Sequence, residues 1–226
     1  MKINLKEYFE QQERDKAFLN EPGPVITISR DFGCRANEIA QNLVQEIEGH
    51  GRKPRPWTIL NKEFLKQAAE ELQLRPDKVE HALSPHQRSR LEDFVASYSP
   101  DYLDDKRIQK SIHHLVASYA EKGNLIIVGR AGVAVTHKLE KSLHIKLEAP
   151  LSWRVEYLKN SRKITLEEAL ALAHQIDQRR QLFISQMRKE PYDTALFDVI
   201  YNRACLSTDA IVQSLIPLLR SKQIIR

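Results

Sequence analysis

Short apolar runs alternate along the chain with longer segments in which hydrophobic residues recur at helical spacing. The runs predict strands at residues 25–28, 57–60, 125–128, 142–149 and 197–202. Apolar strands that alternate with amphipathic helices are typical of a parallel sheet covered by helices on both faces. The pattern therefore predicts an α/β fold in which a parallel sheet is flanked by helices.

The longer segments predict the helices. The first covers residues 38–47, a second is capped by Asn61, and the last begins at Asp209. A charged helical region covers residues 151–190, and residues 165–168 within it have the spacing of a capping box. Helices therefore separate the predicted strands along the chain.

An additional amphipathic segment, residues 3–19, precedes the first strand. Pro22 and Pro24 end it, since proline lacks the N–H that would continue a helix. We therefore divide the chain into an N-terminal helical extension, residues 1–22, and one domain, residues 23–226. The extension is either an exposed appendage or an arm through which two copies of the chain form a homodimer.

The composition is that of an ordinary globular domain, with 226 residues, 42% hydrophobic and 29% charged. The first residues are too charged for a signal peptide, and no apolar run approaches the roughly 20 residues that span a bilayer. Cys34 and Cys205 lie far apart and lack metal-ligand spacing, which suits a reducing cytosol. We therefore expect a cytoplasmic protein with no membrane partner and no metal site built from its own side chains.

The net charge of +5 allows two interpretations. It fits a mildly basic surface, and it also fits partners that carry phosphate. Binding of nucleic acid is supported only by this charge and by the basic run at residues 52–55, so we do not expect nucleic acid as a partner. Small phosphorylated ligands remain open on this evidence.

Ligands of parallel α/β sheets bind at the carboxyl ends of the strands. The loops that follow Ile28, Leu60, Val128, Leu147 and Asn202 are therefore the first places to search for a site. The loop after the first strand joins a strand to a helix, which is the position of a P-loop.

Several segments, taken in order, resemble the cytidylate-kinase-like branch of the P-loop nucleoside monophosphate kinases. The matching segments are residues 26–33, 38–40, 61–63, 126–130, 148–154, 176–180 and 197–202. The resemblance implies a three-layer P-loop NTPase-like fold with a helical acceptor and lid region, the lid covering about residues 151–192. It also implies transfer of the γ-phosphoryl group of ATP, with Mg²⁺, to a small acceptor such as CMP.

The resemblance further implies roles for individual residues. Phosphoryl transfer depends on positioning and on neutralising negative charge, for which arginine forks are suited. Contacts to the donor nucleotide are implied for Arg30, Gly33, Cys34, Arg35, Ala36 and Asn37. Contacts to the acceptor are implied for Asn61, Arg130, Asp177 and Arg179. Catalytic contacts to the transferred group are implied for Arg130, Arg154 and Arg180.

These residues also have structural interpretations. The arginines could form ion pairs or lie on solvated helix faces, and Asp177 could orient an arginine or cap a helix. Cys34 lies at a predicted helix N-terminus, which lowers the pKa of a thiol. It is therefore either a redox-sensitive thiol or simply a small loop residue.

The loop at residues 33–38 departs from the family pattern, which reads roughly Gly-Ser-Gly-Gly-Arg/Ser-Glu. Arg35 and Ala36 replace glycines, Cys34 replaces a hydroxyl residue, and Asn61 replaces a carboxylate elsewhere. Glycine permits positive φ and close approach to phosphate, so Arg35 is expected to be strained. The chain is then either a phosphotransferase that this degenerate loop leaves weak or inactive, or a non-catalytic nucleotide-binding or protein-interaction module on a kinase fold. Separately, Arg35 either supplies the cation that other P-loops take from lysine or points to solvent.

Overall fold

The computed structural model describes residues 23–49, 56–61, 116–117, 119–129 and 131–225. The strands in these residues are β1 (Val25–Arg30), β2 (Thr58–Leu60), β3 (Leu125–Val128), β4 (Ser142–Glu148) and β5 (Val199–Asn202). The helices are α1 (Ala36–Gly49), α2 (Gly132–Thr136), α3 (Leu151–Arg162), α4 (Leu166–Arg188) and α5 (Thr208–Ser221), with a 3-10 turn at Thr194–Leu196. The N-terminal extension, the basic run at 52–55, the helix expected after Asn61 and the side chain of Arg130 lie outside the described residues.

The described strands form one parallel sheet in the order β2-β3-β1-β4-β5. β1 lies at the centre, with Ile28 opposite Val128 of β3 and Ile145 of β4. The carboxyl ends of these three strands therefore meet at one edge of the sheet. The predicted α/β fold with a parallel sheet is confirmed.

Helices cover both faces of this sheet because apolar residues of β1 alternate between them. Ile26 and Ile28 pack on the face that α1 and α5 cover, with Leu43 and Leu215 in the same cluster. Val25 belongs to the opposite face, in a cluster that includes residues of α2 and α4. The three layers place α1 and α4 on opposite sides of the end of β1.

A chain of hydrogen-bonded polar side chains connects β1 and β4 on the sheet face that α4 covers. Thr27 Oγ1 donates to His144 Nδ1 at 2.9 Å, and His144 Nε2 lies 3.1 Å from Ser142 Oγ, which itself donates to the carbonyl of Leu139. Each polar atom of this chain of bonds thus has a partner. Burial lowers the pKa of His144 to about 4, so it is a neutral core histidine at neutral pH.

Helix boundaries follow the capping chemistry. Thr165 and Glu168 form the predicted capping box at the start of α4. The charged region is two helices, because Lys163 adopts φ 56 and ends α3. The start of α5 differs slightly from the prediction, since Ser207 accepts the N–H of Ala210 and the helix begins before Asp209.

Candidate active site

A cleft opens at the edge of the sheet where β1 and β3 end, against one side of α4. Its lining residues are Ser29, Arg30, Asp31, Gly129, Ala131, Lys146, Asp177, Arg179, Arg180, Gln181, Phe183, Ile184 and Tyr192. Four predicted site residues, Arg30, Asp177, Arg179 and Arg180, are brought together here. The cleft adjoins the start of the loop that was expected to hold phosphate.

That loop turns between β1 and α1 with two residues at positive φ. Gly33 adopts φ 99 and Arg35 adopts φ 50. A Cβ on Gly33 would lie 3.2 Å from Arg154 Cβ and 3.3 Å from the Arg154 carbonyl oxygen, so a side chain is excluded by close packing as well as by φ. Arg35 therefore holds a backbone conformation that glycine adopts at no steric cost, as the sequence predicts.

The loop retains backbone donors at the start of α1. Among the described residues, the N–H groups of Gly33, Arg35, Ala36 and Asn37 donate no backbone hydrogen bond, whereas the N–H of Cys34 donates to the carbonyl of Asp31. Unpaired N–H groups in the first turn of a helix favour an anion, as does the helix dipole. N–H groups that can donate to an anion are therefore present at this helix terminus, as they are at other helix N-termini, although two glycines are replaced.

Asp177 of α4 joins this loop to α3. Its Oδ1 accepts the N–H of Phe32 at 2.7 Å, and its Oδ2 accepts Arg154 Nη1 at 2.7 Å. Arg154 is buried and also donates to the carbonyls of Phe32 and Ala149. The structure thus places Arg154 beneath the loop with its donors engaged, and its predicted catalytic contact stays a prediction.

The ring of Phe32 packs between α3 and α4. It is buried in a cluster with Val155 and Leu158 of α3 and Ile176 of α4. The guanidinium of Arg180 lies 5.5 Å from the centroid of its ring. The sequence signal for this contact was an isolated aromatic residue within a polar turn, which the sequence analysis did not use.

Two arginines of α4 reach the cleft. Arg180 Nη1 donates to the carbonyl of Arg30 at 2.9 Å and lies 3.7 Å from Asp177 Oδ1, so it spans from α4 to the end of β1. Arg179 lines the same cleft, and burial lowers its pKa. Both remain positively charged at neutral pH because the ordinary pKa of arginine lies far above 7.

Lys146 is a site residue that sequence reasoning missed. Its Nζ lies 3.1 Å from Asp31 Oδ1, 2.9 Å from the hydroxyl of Tyr192 and 3.6 Å from Glu148 Oε1. Burial lowers the pKa of Lys146, but the hydrogen bond to Tyr192 and the charge of Asp31 outweigh it and raise the pKa overall. The available signal was the alternation along β4, which brings every second residue to the face under α4.

The side chain of Arg35 lies at the surface beside α3, and its contact with a bound ligand stays a prediction. Its Nη1 lies 3.2 Å from Glu38 Oε2, and its guanidinium lies 5.4 Å and 6.0 Å from the ring centroids of Tyr157 and Trp153 on α3. The side chain is 38% exposed. Arg35 is therefore held against the lid by Glu38 and two aromatic rings.

Three further predicted residues are placed as follows. Cys34 is fully buried, and burial together with the charge of Asp31 raises its pKa to about 12, so the expectation of a lowered pKa at a helix N-terminus was wrong. A reactive thiolate is thereby excluded at neutral pH. Asn61 follows β2 and does not line the cleft, and Arg130 is not among the described residues.

The comparison with protein families decides the relationship of the chain. The sequence profile of the cytidylate kinase-like family matches residues 25–204. The chain belongs to this family. The resemblance inferred from the separate motifs is thus confirmed, and the cytidylate kinase-like match spans β1 to the loop after β5.

Two solved structures are similar to the chain, and the first supports the fold. The chain is similar to an uncharacterized protein from Eubacterium ventriosum ATCC 27560, with a TM-score of 0.63 at 14% identity over 88% of this chain and 98% of that one. It is also similar to TT1252 from Thermus thermophilus, with a TM-score of 0.49 at 14% identity over 88% of this chain and 99% of that one. No curated protein sequence matches the chain. At 14% identity the first of these structures supports the α/β fold alone.

No helix in the described part of the chain is long and apolar enough to cross a membrane. Among the same residues, no group of three or more His, Cys, Asp or Glu side chains could hold a metal ion.

Proposed function

We propose that this cytidylate kinase-like chain is a phosphotransferase that moves the γ-phosphoryl group of ATP to a small acceptor such as CMP. The observation that carries the proposal is the loop at the start of α1, where four N–H groups donate no backbone hydrogen bond within the described residues. The first residue of this loop, Asp31, lines a cleft together with Arg30, Arg179 and Arg180. Backbone N–H donors suit the donor triphosphate, and a cationic cleft suits the acceptor and the transferred phosphoryl group.

The donor triphosphate would bind at this loop. The N–H groups of Gly33, Arg35, Ala36 and Asn37 provide donors at the positive end of the α1 dipole. Mg²⁺, when bound, neutralises phosphate charge and takes most of its ligands from phosphate and water.

The acceptor and the transferred group would lie in the cleft. Arg180 is held in place by the carbonyl of Arg30 and by Asp177, which limits the entropy that it loses when it contacts a phosphoryl oxygen. Arg179, the preceding residue of α4, adds a second positive charge to the cleft. Their contribution would be to offset the charge that spreads over the phosphoryl oxygens in the transition state.

A second candidate is a nucleotide-binding module without catalysis. Arg35 favours it, because its guanidinium is held by Glu38, Trp153 and Tyr157 rather than being available to a phosphate. The N–H of Phe32 is likewise taken by Asp177. Such a loop could retain phosphate binding through its remaining amides while lacking the cation that stabilises transfer.

Calorimetric titration with ATP and with a non-hydrolysable analogue, each with Mg²⁺, tests the common part of both candidates. Transfer assays with CMP, dCMP and UMP then separate them. Binding with transfer supports the kinase, and binding without transfer supports the module. No binding at millimolar nucleotide would overturn both.

A variant pair makes the assay specific to the cleft. Arg180→Met removes a charge from the cleft, whereas Arg220→Met removes one from an exposed position on α5. A kinase should lose roughly 100-fold or more in kcat/KM with the first change and almost nothing with the second.

A further inference from the structure

Lys146 belongs to strand β4, and its side chain lines the cleft. β4 pairs with β1 so that Lys146 stands opposite Ser29, next to the strand end from which the phosphate loop departs. Its side chain is only 7% exposed. A lysine at this depth is fixed in position by the strand and by the side chains around it.

The surroundings of Lys146 keep it charged. Asp31 Oδ1 lies 3.1 Å from Nζ, and the ring centroids of Tyr192 and Phe197 lie 5.3 Å and 5.8 Å away. Anionic and aromatic neighbours both favour the ammonium form. The cleft therefore contains a buried, permanent positive charge beside the first residue of the loop.

The cations carried by the loop and by the start of α3 are engaged elsewhere. The loop from Asp31 to Asn37 contains no lysine, and its arginine, Arg35, is held against Glu38 and α3. Arg154 is bound to two carbonyls and to Asp177. A P-loop normally places a lysine on the β- and γ-phosphates of its nucleotide.

We infer that Lys146 supplies, from β4, the ammonium contact to the donor polyphosphate that the loop lacks. The inference rests on the proposed function, since it assigns a binding residue to that same site. Asp31 lines the cleft and presents to Lys146 an anionic oxygen of the kind that a phosphate would present. An entering phosphate thus exchanges with the Asp31 carboxylate on Nζ, while Tyr192 keeps the ammonium in place.

The exchange has a chemical basis. A buried ammonium needs an anionic or polar acceptor at all times, and Asp31 provides it in the absence of ligand. A phosphate oxygen is an equally charged acceptor, so the exchange costs no uncompensated charge on Lys146. The displaced carboxylate is 20% exposed on its side chain and can be solvated at the cleft.

Calorimetric titration of the full chain with tripolyphosphate, without Mg²⁺, tests this inference independently of catalysis. Lys146→Met keeps the length of the side chain and removes the charge, and it should weaken binding roughly 10- to 100-fold. Lys222→Met is the matched control, because Lys222 also pairs with an aspartate, Asp198, but at the amino-terminal end of β5. It should leave the affinity unchanged.

A second variant keeps the test decisive if Lys146→Met fails to fold. Asp31→Asn removes the competing anion and should tighten tripolyphosphate binding about two- to fivefold. In a folded Asp31→Asn/Lys146→Met protein this gain should be much reduced, because the site of competition is gone.

The outcomes distinguish failure of the proposed function from failure of the role inferred for Lys146. Wild-type protein that does not bind tripolyphosphate or ATP overturns the proposed function and this inference with it. Wild-type protein that binds while Lys146→Met binds equally well overturns the inference alone, as does an Asp31→Asn protein that binds no tighter than wild type.

Discussion

The guanidinium of Arg30 lies directly against the backbone of Gly129, across the cleft edge between β1 and β3. A Cβ on Gly129 would lie 2.9 Å from Arg30 Cζ, and closer still to Nη1. Gly129 also adopts φ 76, which is costly for a residue with a side chain. The glycine of the Gly-Arg motif is therefore explained by two physical needs, room for Arg30 and a left-handed backbone.

Gly129→Ala should affect stability and the site separately. The positive φ should cost about 1 kcal/mol of unfolding free energy, because Arg30 can move aside but the backbone cannot. Displacement of Arg30 should in addition weaken nucleotide binding several-fold. Urea unfolding and calorimetry measure the two effects. Gly49→Ala is the control, since nothing lies within 4 Å of a Cβ there, and a loss of stability as large as that of Gly129→Ala would contradict the explanation.

Arg35→Gly should relieve strain in the loop. Glycine accepts φ 50 without penalty, which favours the variant by about 1 kcal/mol, and the lost contacts to Glu38 and Tyr157 offset part of this gain. With Ala36→Gly added, ATP should bind more tightly if the loop has lost affinity through these replacements. Lys163→Gly is the control, because it relieves the same strain at φ 56 outside the loop. If that variant also bound ATP more tightly, the gain could not be assigned to the loop.

Asp177→Asn should destabilise the fold and loosen the loop. The amide can still accept the N–H of Phe32, but Arg154 loses its charged partner and is left buried. We expect a loss of about 2 kcal/mol in unfolding free energy, since two carbonyls still accept from Arg154. Glu140→Gln, at an exposed position, should change stability by less than about 0.5 kcal/mol in the same urea titration.

His144 should make the free energy of unfolding depend on pH. Its pKa is lowered from 6.5 to about 4 in the folded state by burial, so between these values the unfolded chain binds more protons. Stability contributed by neutral His144 is therefore complete above pH 6.5 and is lost as the pH falls toward 4. The loss between pH 7 and pH 5 should be about 2 kcal/mol, measured by urea unfolding.

A histidine variant pair isolates this effect. His144→Gln should flatten the pH dependence of stability over that interval, although it lowers stability at pH 7. His174→Gln, at an exposed position of α4, should leave the slope unchanged. An unaltered slope in the His144 variant would show that other groups cause the acid sensitivity.

The sheet could be predicted because its signals are local. Runs of buried apolar residues mark β1 and β3, and the capping box marks the start of α4. The φ of Arg35 was also predictable, since only the residue type at a glycine position was needed. The family motifs then placed Arg179 and Arg180 at the cleft, where the structure has them.

The contacts that shape the site could not be predicted in the same way, because they join distant parts of the chain. Lys146 and Asp31 are brought together by strand pairing, and Phe32 meets Asp177 across 145 positions. Neither pair leaves a periodic signal in the sequence. The prediction of a lowered Cys34 pKa failed for a related reason. Burial by other elements raises this pKa and outweighs the effect of the local helix terminus.

Asp177 has a consequence for how the protein can respond to ligands. One carboxylate holds both the N–H of Phe32 in the loop and Arg154 at the start of α3. A displacement of α4 that separates Asp177 from the loop breaks the first bond, so this hydrogen bond couples the loop conformation to the position of α4. By thermodynamic linkage, a nucleotide that favours one loop conformation must favour the corresponding lid position by the same factor.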